Sequence, residues 1–135
     1  MDRPIKKNIK GIDVYYIKSS KFKTITWSFV FTHEKGNRDI NEYYFLSNIL
    51  VDNMKKYPTF VKKYRYLSSL YGLDAFSSAL VIGDHIINQF VVTYPNEKYI
   101  DTSENLSLNA FNFLNEVITN PKTRDGHLTR KVFKD

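Results

Sequence analysis

Apolar and polar positions alternate along the first part of the chain, then shift to a longer period. From Gly11 the alternation is that of a strand, with Ile12, Val14 and Tyr16 set against Asp13, Tyr15 and Ile17. After the polar break Ser19-Ser20-Lys21, a longer strand is predicted. It puts Ile25, Trp27, Phe29 and Phe31 on one face and Thr24, Thr26, Ser28 and Thr32 on the other. The two strands read as an antiparallel pair. Residues 1–10 are basic and without clear period, so they are expected to be a lead-in with little order of its own.

At Asp39 the period becomes helical. Tyr43, Leu46, Leu50 and Met54 form one apolar stripe, Asp39 and Glu42 stand where a capping pair would, and Pro58 closes the segment. Thr59 starts a second helix with Phe60, Tyr64, Leu67 and Tyr71 on one face and Gly72 as its stop. Alternation returns from Leu73 to Ile82. Gly83-Asp84 suits a tight hairpin, and His85 to Tyr94 is the return strand. On that strand Ile87, Gln89, Val91 and Thr93 share one face, and Ile86, Asn88, Phe90 and Val92 the other. A third helix runs from about Ser103 to Thr119, with Leu106, Ala110, Phe113, Leu114, Val117 and Ile118 as its stripe and Asn120-Pro121 as its end. A last helical segment is expected from His127, packing through Leu128 and Val132. The order ββααββαα predicts one α+β domain over residues 11–135, a mostly antiparallel sheet with helices packed on one face. The chain stops within an element, so a longer multi-domain chain is expected.

Composition narrows the partners. With 135 residues, 42% of them hydrophobic and 16% aromatic, the chain can bury a single globular core. It has no cysteine, which excludes disulfides and thiolate metal sites. No apolar run reaches the roughly 18 residues of a membrane span, and the first residues lack the apolar centre of a secretion signal. A cytoplasmic location with no membrane partner is the expectation. The net charge of +6 comes without a block of five lysines or a nucleic-acid reader motif. Specific nucleic-acid binding is therefore not expected, whereas an acidic peptide or partner surface stays open.

Candidate chemistry is sparse. His33-Glu34-Lys35-Gly36-Asn37 begins like the helical His-Glu-x-x-His zinc signature, but the fifth residue is asparagine and a loop is predicted there. His33, His85 and His127 fall on three separate elements, and no phosphate-binding glycine loop or Gly-x-Ser-x-Gly elbow is present. On the first long helix, Tyr44, Ser47 and Asn48 occupy i, i+3 and i+4. An inverted His-x-x-Glu-His motif would use that layout to carry two zinc ligands and a general base.

Taken in order, several segments resemble the N-terminal part of a pitrilysin/insulinase-type metallopeptidase domain. The opening Gly-Ile-Asp-Val-Tyr-Tyr-Ile and Lys-Thr-Ile-Thr-Trp-Ser-Phe runs are similar to the family's first strands. Tyr44-Phe45-Leu46-Ser47-Asn48 falls where its His-Phe-Leu-Glu-His would sit, and Leu73-Asp74-Ala75-Phe76-Ser77-Ser78 is similar to its Leu-Asn-Ala-Phe-Thr-Ser strand. Asn120-Pro121, followed by the Asp125-Gly126 turn, is similar to a further landmark. Leu67-Ser68-Ser69-Leu70-Tyr71-Gly72 looks most like a non-peptidase branch of Gram-positive bacteria.

The resemblance implies that Tyr44 replaces the first zinc ligand, Ser47 the base and Asn48 the second ligand. A third, glutamate ligand would fall at or just past Asp135. Tyrosine, serine and asparagine do not make such a zinc site, so no metal or other cofactor is expected. Without activated water or a base, hydrolysis by this route is expected to be absent. The implied role is a catalytically inactive homologue that helps form a peptide-binding chamber with an active zinc-peptidase subunit, acting on a peptide or small protein. Asp74, Ala75, Phe76, Ser77 and Ser78 are the candidate peptide-holding edge strand, with ordinary packed sheet as the competing reading. Two other functions stay open: a basic α+β module for nucleic acid, and a zinc peptidase with unusual ligands.

Overall fold

A computed structural model describes residues 3–124 and 127–128. The chain runs β1 (Ile5–Ile9), β2 (Ile12–Tyr16), β3 (Thr24–Glu34), α1 (Ile40–Asp52), α2 (Phe60–Ser69), β4 (Asp74–Ile82) and β5 (His85–Pro95). A 3-10 turn at Glu97–Tyr99 leads to α3 (Leu106–Thr119), then to β6 (Thr123–Arg124) and β7 (His127–Leu128). The main sheet has the order β3-β5-β4 and is antiparallel throughout.

Register decides which residues share a face. Phe29 lies opposite Phe90 and Trp27 opposite Val92, while Ser77 and Ala75 meet the same two β5 residues from the other side. One face therefore carries Ile25, Trp27, Phe29 and Phe31, then Ile86, Asn88, Phe90, Val92 and Tyr94, then Ala75 and Ser77. All three helices cover it. Phe90, Val92 and Tyr94 pack in one core with Val51 from α1, Leu67 from α2, and Leu106, Ala110, Phe113, Leu114 and Val117 from α3. Each large apolar side chain so buried contributes roughly 1.5–3 kcal/mol. The fold is α+β with its helices on one side of an antiparallel sheet, as the pattern predicts.

The caps follow the sequence closely. Asp39 Oδ1 accepts from the Asn41 amide at 2.9 Å, Thr59 Oγ1 from Lys62 at 3.2 Å and Asn105 Oδ1 from Leu108 at 3.0 Å. Past the C-cap Leu70 of α2, Tyr71 at φ +59° and Gly72 at φ +73° both take left-handed positions. The stripe of α3 is the predicted one.

Four expectations are corrected. The basic residues 5–9 form a strand: β1 pairs with β2 through a tight turn in which Lys10 and Gly11 both have positive φ, as a two-residue hairpin requires. Consequently β2 pairs with β1, and β3 pairs with β5, so the two opening strands do not pair with each other. The helix beginning at Asp39 stops at Asp52, well short of Pro58. Asn53 Nδ2 donates to Ile49 O at 3.0 Å, and the next residues are tied to the exit of α3 by Lys55 N–H to Asn120 O and by Lys122 N–H to Asn53 O. Where a helix is expected to begin, His127–Leu128 instead pair antiparallel with Thr123–Arg124. Val132 and Asp135 lie outside the described residues.

The stripes of α1 and α2 are also rotated from expectation. Leu46 is exposed while its neighbour Ser47 is 1% exposed, and Phe60, Tyr64 and Tyr71 are exposed while Lys63 is buried. Polar pairs set both rotations: Ser47 has a partner on the sheet, and the Lys63 ammonium pairs with Asp52 of α1.

Candidate functional site

The seam between α1 and the sheet positions the three helix residues that sequence singles out. Serine in mid-helix commonly bonds back one turn, and Ser47 Oγ donates to Tyr43 O at 2.7 Å. The same oxygen accepts from Asn88 Nδ2 at 2.5 Å, and Asn88 Nδ2 also reaches Tyr43 O at 3.3 Å. Asn88 comes from the central strand, between Ile86 and Phe90, and is 6% exposed. Ser47 thus faces the sheet, and its hydroxyl is taken up in holding α1 to β5.

Asn48, one residue on, points toward β4. Its Nδ2 donates to Tyr44 O at 3.0 Å, and its Oδ1 accepts from Ser77 Oγ at 3.3 Å. The Tyr44 side chain is more than half exposed. Sequence reasoning singled out Asn48 and Ser77 for separate reasons, and a hydrogen bond joins them.

Along β4 the candidate peptide residues divide. Ala75 and Ser77 face the helices, whereas Asp74, Phe76 and Ser78 lie on the opposite face. Ser78 Oγ is buried without a hydrogen-bond partner. Among the described residues β4 pairs with β5 alone, so its other backbone edge is open to an added strand. A cleft of about 270 Å³ opens at the start of this strand, lined by Lys63, Tyr64, Leu67, Gly72, Asp74 and Ala75. Tyr44, Ser47 and Asn48 do not line it.

Zinc is the ion the resemblance would bring, and the residues present do not fit it. Ser47 and Asn48 are neutral and engaged with protein partners, and Tyr44 stands where the resemblance would put the first imidazole. His33 ends β3 with its ring 5.1 Å from that of Tyr43, and His85 opens β5 at the surface. Among the described residues no group of three or more His, Asp or Glu converges. His33-Glu34 closes a strand, so it has none of the helical geometry of the His-Glu-x-x-His signature.

Sequence reasoning missed Asn88 and Lys63. A lone amide on an otherwise apolar strand face was the available signal for Asn88. For Lys63 it was the absence of any apolar residue one turn after Thr59 on the core side.

No protein-family profile matches the chain. Over 117 residues it is 24% identical to a Bacillus subtilis (strain 168) protein described as "Probable inactive metalloprotease YmfF", an alignment covering 87% of this chain and 28% of that one. The sequence likeness is to a metalloprotease described as inactive. A conserved protein from Enterococcus faecalis V583, known from a crystal structure, superposes with a TM-score of 0.89 over 97% of this chain and 31% of its own, at 23% identity. That likeness establishes a shared fold. The chain spans less than a third of the length of either relative. No helix among the described residues is long and apolar enough to cross a membrane.

Proposed function

We propose that this chain is part of a catalytically inactive, pitrilysin-like peptidase homologue that helps form a peptide-binding chamber beside an active zinc-peptidase subunit. The observation that carries this reading is the fate of Ser47. The position that would hold a general base is buried and hydrogen-bonded to Asn88, so neither a metal-bound water nor an incoming peptide has a proton acceptor there. The metalloprotease-like relative described as inactive supports the same reading. Retention of the scaffold beside a silent motif suits a supporting role. The open edge of β4 offers main-chain hydrogen bonds to an extended peptide, and Asn48 braces that strand through Ser77.

The test is reconstitution. The full-length protein is co-expressed with an active peptidase homologue chosen for its intact His-x-x-Glu-His helix, and peptide hydrolysis is measured for each protein alone and together. A stable complex whose activity exceeds that of the active subunit alone supports the proposal. Hydrolysis by this protein alone, or no complex and no change in rate, refutes it.

A further inference from the structure

The β1–β2 ribbon is built unlike the rest of the chain. All five residues of β1 are exposed, and the ribbon packs on no other element to the extent that its two strands pack on each other. A lone two-stranded hairpin is marginal in water, so its apolar surface calls for a cover. Register gathers that surface: Ile5 lies opposite Tyr16, Lys7 opposite Val14 and Ile9 opposite Ile12, which puts five apolar side chains around one lysine on a single face. Ile9 and Ile12, at the tip, are 53% and 69% exposed. Ile17 and Phe22, just beyond, are also more than half exposed.

Charge concentrates on the same segment. Residues 1–23 hold seven Lys and Arg against two Asp, which gives +5 of the chain's net +6. Among the described residues of this segment the one ion pair is Lys6 with Asp13, at 3.3 Å. The partner must therefore be anionic and must also accept aliphatic side chains. Nucleic acid meets the first condition but fits the second poorly, because four of the five apolar side chains on that face, Ile5, Ile9, Ile12 and Val14, are aliphatic and offer no ring for a base to stack on. A bilayer rich in acidic headgroups meets both. Its surface potential attracts lysines, and its headgroup–acyl boundary takes up apolar side chains while the unpaired edges of the ribbon stay hydrated.

We infer that the β1–β2 ribbon is a membrane-surface contact, laying its Ile5–Ile9–Ile12–Val14–Tyr16 face on anionic lipid while Lys7, on the same face, meets the headgroups. Lying on a bilayer needs no spanning segment, so the lack of a long apolar run does not bear on it. The inference is independent of the peptidase reading.

The experiment is flotation of the full-length protein with vesicles of phosphatidylcholine alone and of phosphatidylcholine with phosphatidylserine, at low and high salt. Binding to the acidic vesicles only, weakened by salt, is expected. Reversing two charges with Lys7→Glu and Lys18→Glu should reduce partitioning on the order of tenfold or more. Ile9→Ser with Ile12→Ser should reduce it while leaving charge unchanged, and circular dichroism confirms that each variant is folded. Equal binding to neutral vesicles, no binding to acidic ones, or indifference to the isoleucine substitutions overturns the inference. So does retention by a single-stranded oligonucleotide that exceeds retention by acidic vesicles.

Discussion

Ser47→Ala isolates the contact on which the site reading depends. The hydroxyl donates to Tyr43 O at 2.7 Å and accepts from Asn88 Nδ2 at 2.5 Å. Asn88 is 6% exposed, its Oδ1 has no partner, and its remaining Nδ2 contact is the 3.3 Å bond to Tyr43 O. Removing the hydroxyl leaves a buried amide almost unsatisfied, which costs about 1–3 kcal/mol, whereas the void left by one oxygen adds little. A domain of ordinary stability has roughly 5–15 kcal/mol in all, so the loss is readily measured. Asn88→Leu alone should cost less, because Ser47 keeps its bond to Tyr43. The double variant removes both polar partners and should lie within about 1 kcal/mol of the original protein. The coupling energy is then of order 1–2 kcal/mol and compensating in sign. Urea unfolding of the full-length protein, followed by circular dichroism, reads this as a lower midpoint at unchanged slope. A Ser47→Ala effect below about 0.5 kcal/mol, or strict additivity in the cycle, refutes the reasoning.

Three further outcomes follow from the same packing. Rebuilding the motif with Tyr44→His, Ser47→Glu and Asn48→His should destabilise the protein by several kcal/mol without producing hydrolysis, since the carboxylate would enter a seam that is 1% exposed; thermal unfolding and peptide cleavage check both halves. Asp52→Asn should cost about 1–3 kcal/mol by stranding the buried Lys63 ammonium, whereas Lys63→Met, which keeps the apolar stem, should stay within about 1 kcal/mol. Burial first, then Tyr66 and Glu116, raises the Tyr57 phenol above its ordinary value of 10.0. Its contribution is complete below pH 10, where both states are protonated, and declines above it as the unfolded phenol ionises first. Ultraviolet titration should show this tyrosine ionising only together with unfolding.

Backbone-level features were readable where one physical signal dominated. The β4–β5 hairpin, the N-caps Asp39 and Thr59 and the α3 stripe each depend on local turn chemistry or on one clean period, and the structure has them within a few residues. The misread stripes of α1 and α2 have a common cause in polar pairs that cross between elements. Ser47 turns inward because Asn88 waits on a strand 41 positions away, and Lys63 is buried because Asp52 ends the preceding helix. No periodicity within α1 or α2 reports on either partner. The β1 strand was hidden for a different reason: its lysines interrupt the apolar alternation, and only pairing with β2 reveals which side chains share a face. In the candidate site, Asn48 and Ser77 were both singled out, but their hydrogen bond depends on how α1 lies over β4.

Zinc content of the purified full-length protein, measured by atomic spectroscopy after dialysis, bears most directly on the claim that Tyr44, Ser47 and Asn48 do not form a metal site. The account predicts far less than one zinc per chain, unchanged by Asn48→Ala. One zinc per chain, retained through dialysis and lost on that substitution, would contradict it.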